Sequence, residues 1–180
     1  MFNFIKNLSE GRIAKELKQV DLNYPLNGLG RSLSKQALSY HYGKLYKAYV
    51  DRYNNGEGDA DFNEAGAFLH SIYFSQLTKP KGSNRPTGSV LGLIESKHGS
   101  WDKFQEAFEK IAMGIQGSGW VYLAKDGTIK TITNHAIKND IVLLIDWWEH
   151  SWALDYQADK KGYLNNQWKI IDWDFVNTRL

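Results

Sequence analysis

Between Lys79 and Gly88 the chain reads KPKGSNRPTG, and the spacing of its apolar residues changes across this segment. Two of the three prolines lie here with Gly and Ser, the composition of a linker between structured regions. Before it, apolar residues recur every three or four positions, the period of a helix buried on one side. After it come short strand-like runs as well as further helical stretches. This pattern is α+β: an N-terminal helical hairpin lobe (1–85, with 1–23 as an extra segment) and a C-terminal lobe (86–180). The second lobe is expected to hold a three-stranded antiparallel sheet flanked by helices.

The first helix is expected from a cap at Ser32 or Ser34 to about Asn54, where Asn54-Asn55-Gly56 stops it. Leu38, His41, Leu45 and Tyr49 then share one face. A second helix starts near Asp59 or Asp61 and ends before Pro80, with Phe62, Gly66, Leu69, His70, Tyr73 and Leu77 on a broad face. The stretch before Asn23 has moderate helical character. Helices are also predicted over Val90–Lys97, Trp101–Met113 (capped by Ser100), Trp148–Tyr156 and about Tyr163–Asn177. Gly119–Ala124 and Thr128–Thr133 flank a Lys125-Asp126-Gly127 turn and read as a hairpin. Ile141–Ile145 is a continuous apolar run, as in a strand covered on both faces.

Composition excludes several classes of chemistry. There is no cysteine, so disulfides, thiolate metal sites and cysteine nucleophiles are out, and any metal must be held by His, Asp or Glu. A net charge of +2 is too small to argue for a nucleic-acid or membrane surface. Met1 to Val20 is broken by charges and lacks the apolar centre of a signal peptide. No run approaches the ~20 apolar residues that span a bilayer. The expectation is a soluble, cytoplasmic protein without nucleic-acid or membrane partners.

The histidines stand at 41, 70, 98, 135 and 150. His41 and His70 each interrupt an apolar helix stripe. Asp146 and His150 are four apart, where a buried strand passes into a helix. A carboxylate followed at once by Trp147 and Trp148 should sit in low dielectric, where an ionised group needs a cation or hydrogen bonds. Such pairs also arise by chance, and periodicity alone does not bring the four residues together.

Four segments carry more information: YHYGKLYKAYV (Tyr40–Val50), FLHSIYF (Phe68–Phe74), GSGWVYL (Gly117–Leu123) and DWWEHSWALDY (Asp146–Tyr156). In content, order and separation they resemble the signature segments of the iron/manganese superoxide dismutases. YPLNGL (Tyr24–Leu29) and WKIIDWDFV (Trp168–Val176) also fit, so the resemblance spans roughly 22–178.

The resemblance implies one iron or manganese ion per subunit, held by His41, His70, Asp146 and His150, with superoxide as substrate. It implies that Tyr49 and His135 serve catalysis by hydrogen-bonding toward metal-bound solvent, and that Tyr73, Trp120, Tyr122 and Trp148 wall the ligands. Glu149 and Ser118 would lie at a homodimer interface, Glu149 pairing with His150 of the other subunit. Lys160 stands where an arginine usually lines the substrate funnel.

The pattern is not followed throughout. Gly66 and His135 occupy the two positions from which a family glutamine reaches the solvent, and the histidine resembles members that accept either metal. Leu45 and Ala153 replace a histidine and the tyrosine that meets it across the dimer. The two losses together leave no polar orphan but remove a link in proton delivery. A metal-binding relative with little dismutase activity is therefore the alternative expectation. His98 matches no ligand position.

Overall fold

The computed structural model describes residues 16–180. Its first helical unit runs through three segments: α1 (Lys35–Tyr40), a π-helical stretch (His41–Tyr46) and α2 (Lys47–Asn55). Ser34, rather than Ser32, is the cap, its Oγ accepting from Ala37 N. Gly56, at φ +67°, ends α2 in a left-handed turn that a side chain would strain. The π stretch alters the expected face. Each extra residue per turn moves later side chains around the axis, so Tyr46 is fully buried while Leu45 is only half-buried.

Helix α3 (Ala60–Ser75) starts where Asp59 accepts from Phe62 N, a cap worth about 1 kcal/mol. The helices α4 (Gly88–His98) and α5 (Trp101–Met113) follow the linker, α5 capped by Ser100. Strands β1 (Gly119–Ala124), β2 (Ile129–Thr133) and β3 (Ile141–Asp146) form an antiparallel sheet in the order β2-β1-β3. Gly127 at φ +80° makes the β1–β2 turn. Then come α6 (Glu149–Tyr156), α7 (Lys160–Gln167), a 3-10 turn (Trp168–Ile170) and α8 (Trp173–Asn177).

Two expectations are corrected. Residues 16–23 are irregular rather than helical, pinned along the first helical unit by Leu17 N to Asn54 Oδ1 (2.9 Å) and Tyr42 Oη to Val20 O (2.7 Å). The earlier part of that segment lies outside the described residues. The expected helix over 163–177 is broken at Ile171, which bridges to Leu77, and restarts because Asp172 caps Asp174 and Phe175.

β3 is buried along its whole length. On the side away from β1, side chains replace a fourth strand. Gln76 meets both Leu144 N and Leu144 O, Arg179 Nε donates to Ile141 O (3.1 Å), and Tyr163 Oη donates to Asp146 O (2.9 Å). These partners satisfy backbone groups that burial would otherwise leave unpaired. One apolar core runs through both halves of the chain, from Leu38, Tyr46 and Leu69 to Phe104, Leu144 and Trp168. His98 is structural: its Nε2 meets Gly127 O at 2.8 Å.

Candidate metal centre

The sheet register places Trp120 opposite Asp146, the last residue of β3. Asp146 is fully buried, and its carboxylate faces three imidazoles. Oδ2 lies 3.1 Å from His41 Nε2, 3.4 Å from His150 Nε2 and 3.7 Å from His70 Nε2. The four donor atoms all fall within 4.8 Å of one another. Among the described residues this is the one such group of metal-ligating side chains. His41 arrives from the π stretch, His70 from α3, Asp146 from the end of β3 and His150 from the first turn of α6. Sequence positions more than a hundred residues apart thus meet at one point.

The hydrogen bonding around the cluster decides what fits it. His70 Nδ1 lies 2.7 Å from Gly66 O; a carbonyl only accepts, so Nδ1 carries the proton and Nε2 presents a lone pair. Asp146 Oδ1 accepts from Trp148 N at 2.8 Å, fixing the carboxylate plane. The inward atoms, His41 Nε2, His70 Nε2, His150 Nε2 and Asp146 Oδ2, are buried without a hydrogen-bond partner.

Charge leads to the same conclusion. Burial lowers the His41 and His70 pKa values, favouring neutral rings. Burial opposes ionisation of Asp146, but His150 and His41 override it and hold the carboxyl well below its ordinary range. With the His41 and His70 rings neutral, the cluster holds a buried carboxylate whose charge a cation would balance. A cation at the centre resolves both problems, and three imidazole nitrogens with one carboxylate oxygen suit iron, manganese or zinc.

An aromatic shell surrounds the four side chains. Tyr73 stacks on His41 (5.5 Å, 28°) and Trp120 meets His70 edge-on (5.1 Å). Trp148 lies parallel to both His135 (4.5 Å, 17°) and His150 (5.7 Å, 29°). Tyr49 touches His70 and His135, at ring separations of 5.3 and 4.8 Å. Its hydroxyl pKa is pushed up to about 12 by burial, with the Asp146 charge adding to the effect. His135 is pushed down to about 4 by burial, so it is neutral at pH 7. Trp120 Nε1 donates to His135 Nδ1 at 3.2 Å, which leaves the proton on Nε2, buried and without a partner.

The remaining expected site residues lie further out. Tyr122 shares the Trp120 face of β1, but its hydroxyl donates to Asp140 (3.2 Å) in a half-buried cluster with Lys130. Ser118 is half-buried, its carbonyl taking Asn134 N. Lys160 Nζ lies over the Trp152 ring, 4.7 Å from its centroid. Glu149 is exposed in a surface groove of about 810 Å³ that also includes Tyr40, Lys44, His150, Ala153 and Leu154. His150 is thus the ligand reached from outside, with 15% of its side chain accessible.

The structure adds residues that pattern reading overlooked. Tyr46 stacks on His70 (5.6 Å, 15°), placed there by the π stretch, and Phe62 meets His135 at 4.7 Å. Phe74 packs edge-on against His41 (4.9 Å). Aromatic residues at helical spacing carry no mark that separates such neighbours from ordinary core.

Comparison with known proteins agrees with this geometry. Residues 86–179 match the sequence model for the C-terminal domain of iron/manganese superoxide dismutases. The chain is 34% identical to the iron superoxide dismutase of Bordetella pertussis, over 86% of this chain and 94% of that protein. It is 33% identical to the iron enzyme of Bacteroides fragilis, over 88% and 96%. With the manganese/iron enzyme of Porphyromonas gingivalis it shares 32% identity over 89% and 97%.

Proposed function

The chain belongs to the iron/manganese superoxide dismutase family, and on that premise we propose that it disproportionates superoxide at the cluster of His41, His70, Asp146 and His150. The observation that carries this reading is the set of four buried ligand atoms facing one another without a hydrogen-bond partner. When bound there, iron or manganese supplies one-electron chemistry between the +2 and +3 states, by which two superoxides and two protons become dioxygen and hydrogen peroxide.

The protein's own part is to hold, shield and supply protons. His41, His70 and His150 turn Nε2 inward, and Trp148 N fixes Asp146. The aromatic wall of Tyr73, Trp120 and Trp148 keeps bulk water out, with Tyr122 as its outer extension. Tyr49 Oη keeps its proton at neutral pH and stands beside His70 and His135, which supports a role in proton delivery. His135 Nε2–H is a second donor, oriented by Trp120. We assign it the hydrogen bond to solvent at the centre, and with it the tuning of the metal's potential.

The proposal extends to organisation. Residues 1–85 and 86–180 form two lobes with the centre between them. Two copies assemble into a homodimer, with Glu149 reaching His150 of the partner and Ser118 at the same interface; the exposure of Glu149 and His150 in the groove supports this. Lys160 adds positive charge to the substrate funnel. No helix among the described residues is long and apolar enough to cross a membrane. The cysteine-free sequence fits a reducing compartment such as the cytoplasm.

Stripping the protein of metal and reloading it with iron, manganese or zinc, followed by a superoxide-consumption assay, tests the function. Activity with iron or manganese and none with zinc is expected, because zinc does not change oxidation state. Zero activity with both redox metals would refute the proposal.

A further inference from the structure

Gln167 is a glutamine with no accessible surface, in the last turn of α7. Its side chain meets the Tyr73 hydroxyl at 3.1 Å. Tyr73 Oη also lies 3.3 Å from Tyr163 Oη, which donates to the carbonyl of the ligand residue Asp146 at 2.9 Å. Three buried side chains therefore form a chain that ends on the metal-binding strand. Its middle member, Tyr73, stacks on the ligand His41.

Counting protons orders this chain. Each phenol has one, and that of Tyr163 goes to Asp146 O. If Tyr73 gave its proton to Gln167 Oε1, the contact between the phenols would have none, and Gln167 Nε2 would stay buried without a partner. The two ends of an amide have the same shape, so hydrogen bonding decides between them. With the nitrogen turned to Tyr73, three protons serve three contacts. The atom then left over is a carbonyl oxygen, a cheaper group to leave short of partners than an NH2.

We infer that Gln167 is a positioning residue for the metal centre, heading a one-way donor chain from Gln167 through Tyr73 and Tyr163 to the Asp146 carbonyl. The chain holds the Tyr73 ring against His41 and the end of β3 in place. It links α3 to α7 and β3 at the level of the ligands, so two ligands on separate elements are kept in register by hydrogen bonds outside the coordination shell. Such outer contacts commonly govern metal affinity by 10- to 100-fold.

The inference rests on the metal reading above, and its test separates the two. Gln167→Met keeps the volume and removes the polar head; Tyr73→Phe removes the same link from the other end. In manganese-loaded protein, each variant should release metal to a chelator about tenfold faster than the parent. Each should also shift the visible absorption band of the oxidised centre. The double variant should be no worse than either single variant, because both cut one chain. Parent protein that retains no manganese or iron would sink the metal reading itself. Equal release rates and spectra in parent and variants, or additive losses in the double variant, would overturn the role of Gln167. If Gln167→Met does not fold, Tyr73→Phe alone decides, with unchanged release and spectrum as the contradicting result.

Discussion

The ring of Tyr49 occupies the space that a side chain on Gly66 would need: a Cβ built there falls 2.9 Å from Tyr49 Cγ and Cδ1. Gly66 is therefore fixed by its neighbour across the helix pair, and through its carbonyl it also orients His70. Gly66→Ala should push the phenol ring aside, at the 1–3 kcal/mol or so typical of overpacking. Melting temperature and turnover should both fall. Tyr49→Phe should lower turnover several-fold while leaving the melting temperature nearly unchanged. Thermal denaturation beside a superoxide assay checks both, and a Gly66→Ala variant indistinguishable from the parent would contradict the packing argument.

His135 accepts from Trp120 and holds its own proton on Nε2. A glutamine offers the same acceptor and donor, so His135→Gln should fold normally and change the ratio of activities with iron and manganese. His135→Leu leaves the Trp120 N–H buried and unpaired, at a cost of about 1–3 kcal/mol. Denaturant titration and rates with each metal measure the two effects. An unchanged rate and metal preference in His135→Gln would retire the proposed donor role.

Glu149 lies exposed beside the one ligand that reaches the surface. In the proposed homodimer, Glu149→Ala removes the carboxylate that orients the partner's copy of that imidazole. Sedimentation should show a shift from dimer toward monomer, together with faster metal loss. A variant that stays dimeric with full metal retention would show that Glu149 has no bridging role.

Removing the metal should cost stability that depends on its concentration. At a free-metal concentration 1,000 times Kd, linkage gives about 4 kcal/mol. For a chain of this size that is roughly 8–16 °C in melting temperature. Asp146→Asn should behave differently. It removes a carboxylate that His150 and His41 already favour in its ionised form, so the metal-free variant should melt no higher than the metal-free parent and should gain nothing from added manganese. Calorimetry with and without metal tests both, and equal melting curves for the parent in the two states would count against a structural contribution from the ion.

The elements most legible in the sequence were those governed by local chemistry. Ser34 and Asp59 cap helices, Gly127 turns a hairpin, and the run from Ile141 is a strand buried on both sides. The four ligands were legible through the resemblance of whole segments, since single His and Asp residues looked like ordinary core. The π stretch was not legible: HYGKLY reads as a plain helix, and the slip that buries Tyr46 rather than Leu45 depends on what α3 places opposite, His70 and Phe74. Gln167 was invisible for the opposite reason. A glutamine on a short helix reads as solvated, and only the packing of Tyr73 and Tyr163 shows that it is buried. Tyr122 illustrates a related limit: strand alternation gives its face but not the direction of its hydroxyl, which Asp140 takes.

The most direct test of the central claim is anomalous diffraction from crystals of metal-loaded protein, recorded on both sides of the iron or manganese absorption edge. The account predicts one strong edge-dependent peak per chain, enclosed by Nε2 of His41, His70 and His150 and Oδ2 of Asp146. A peak at any other place, or no peak in protein that consumes superoxide, would contradict it.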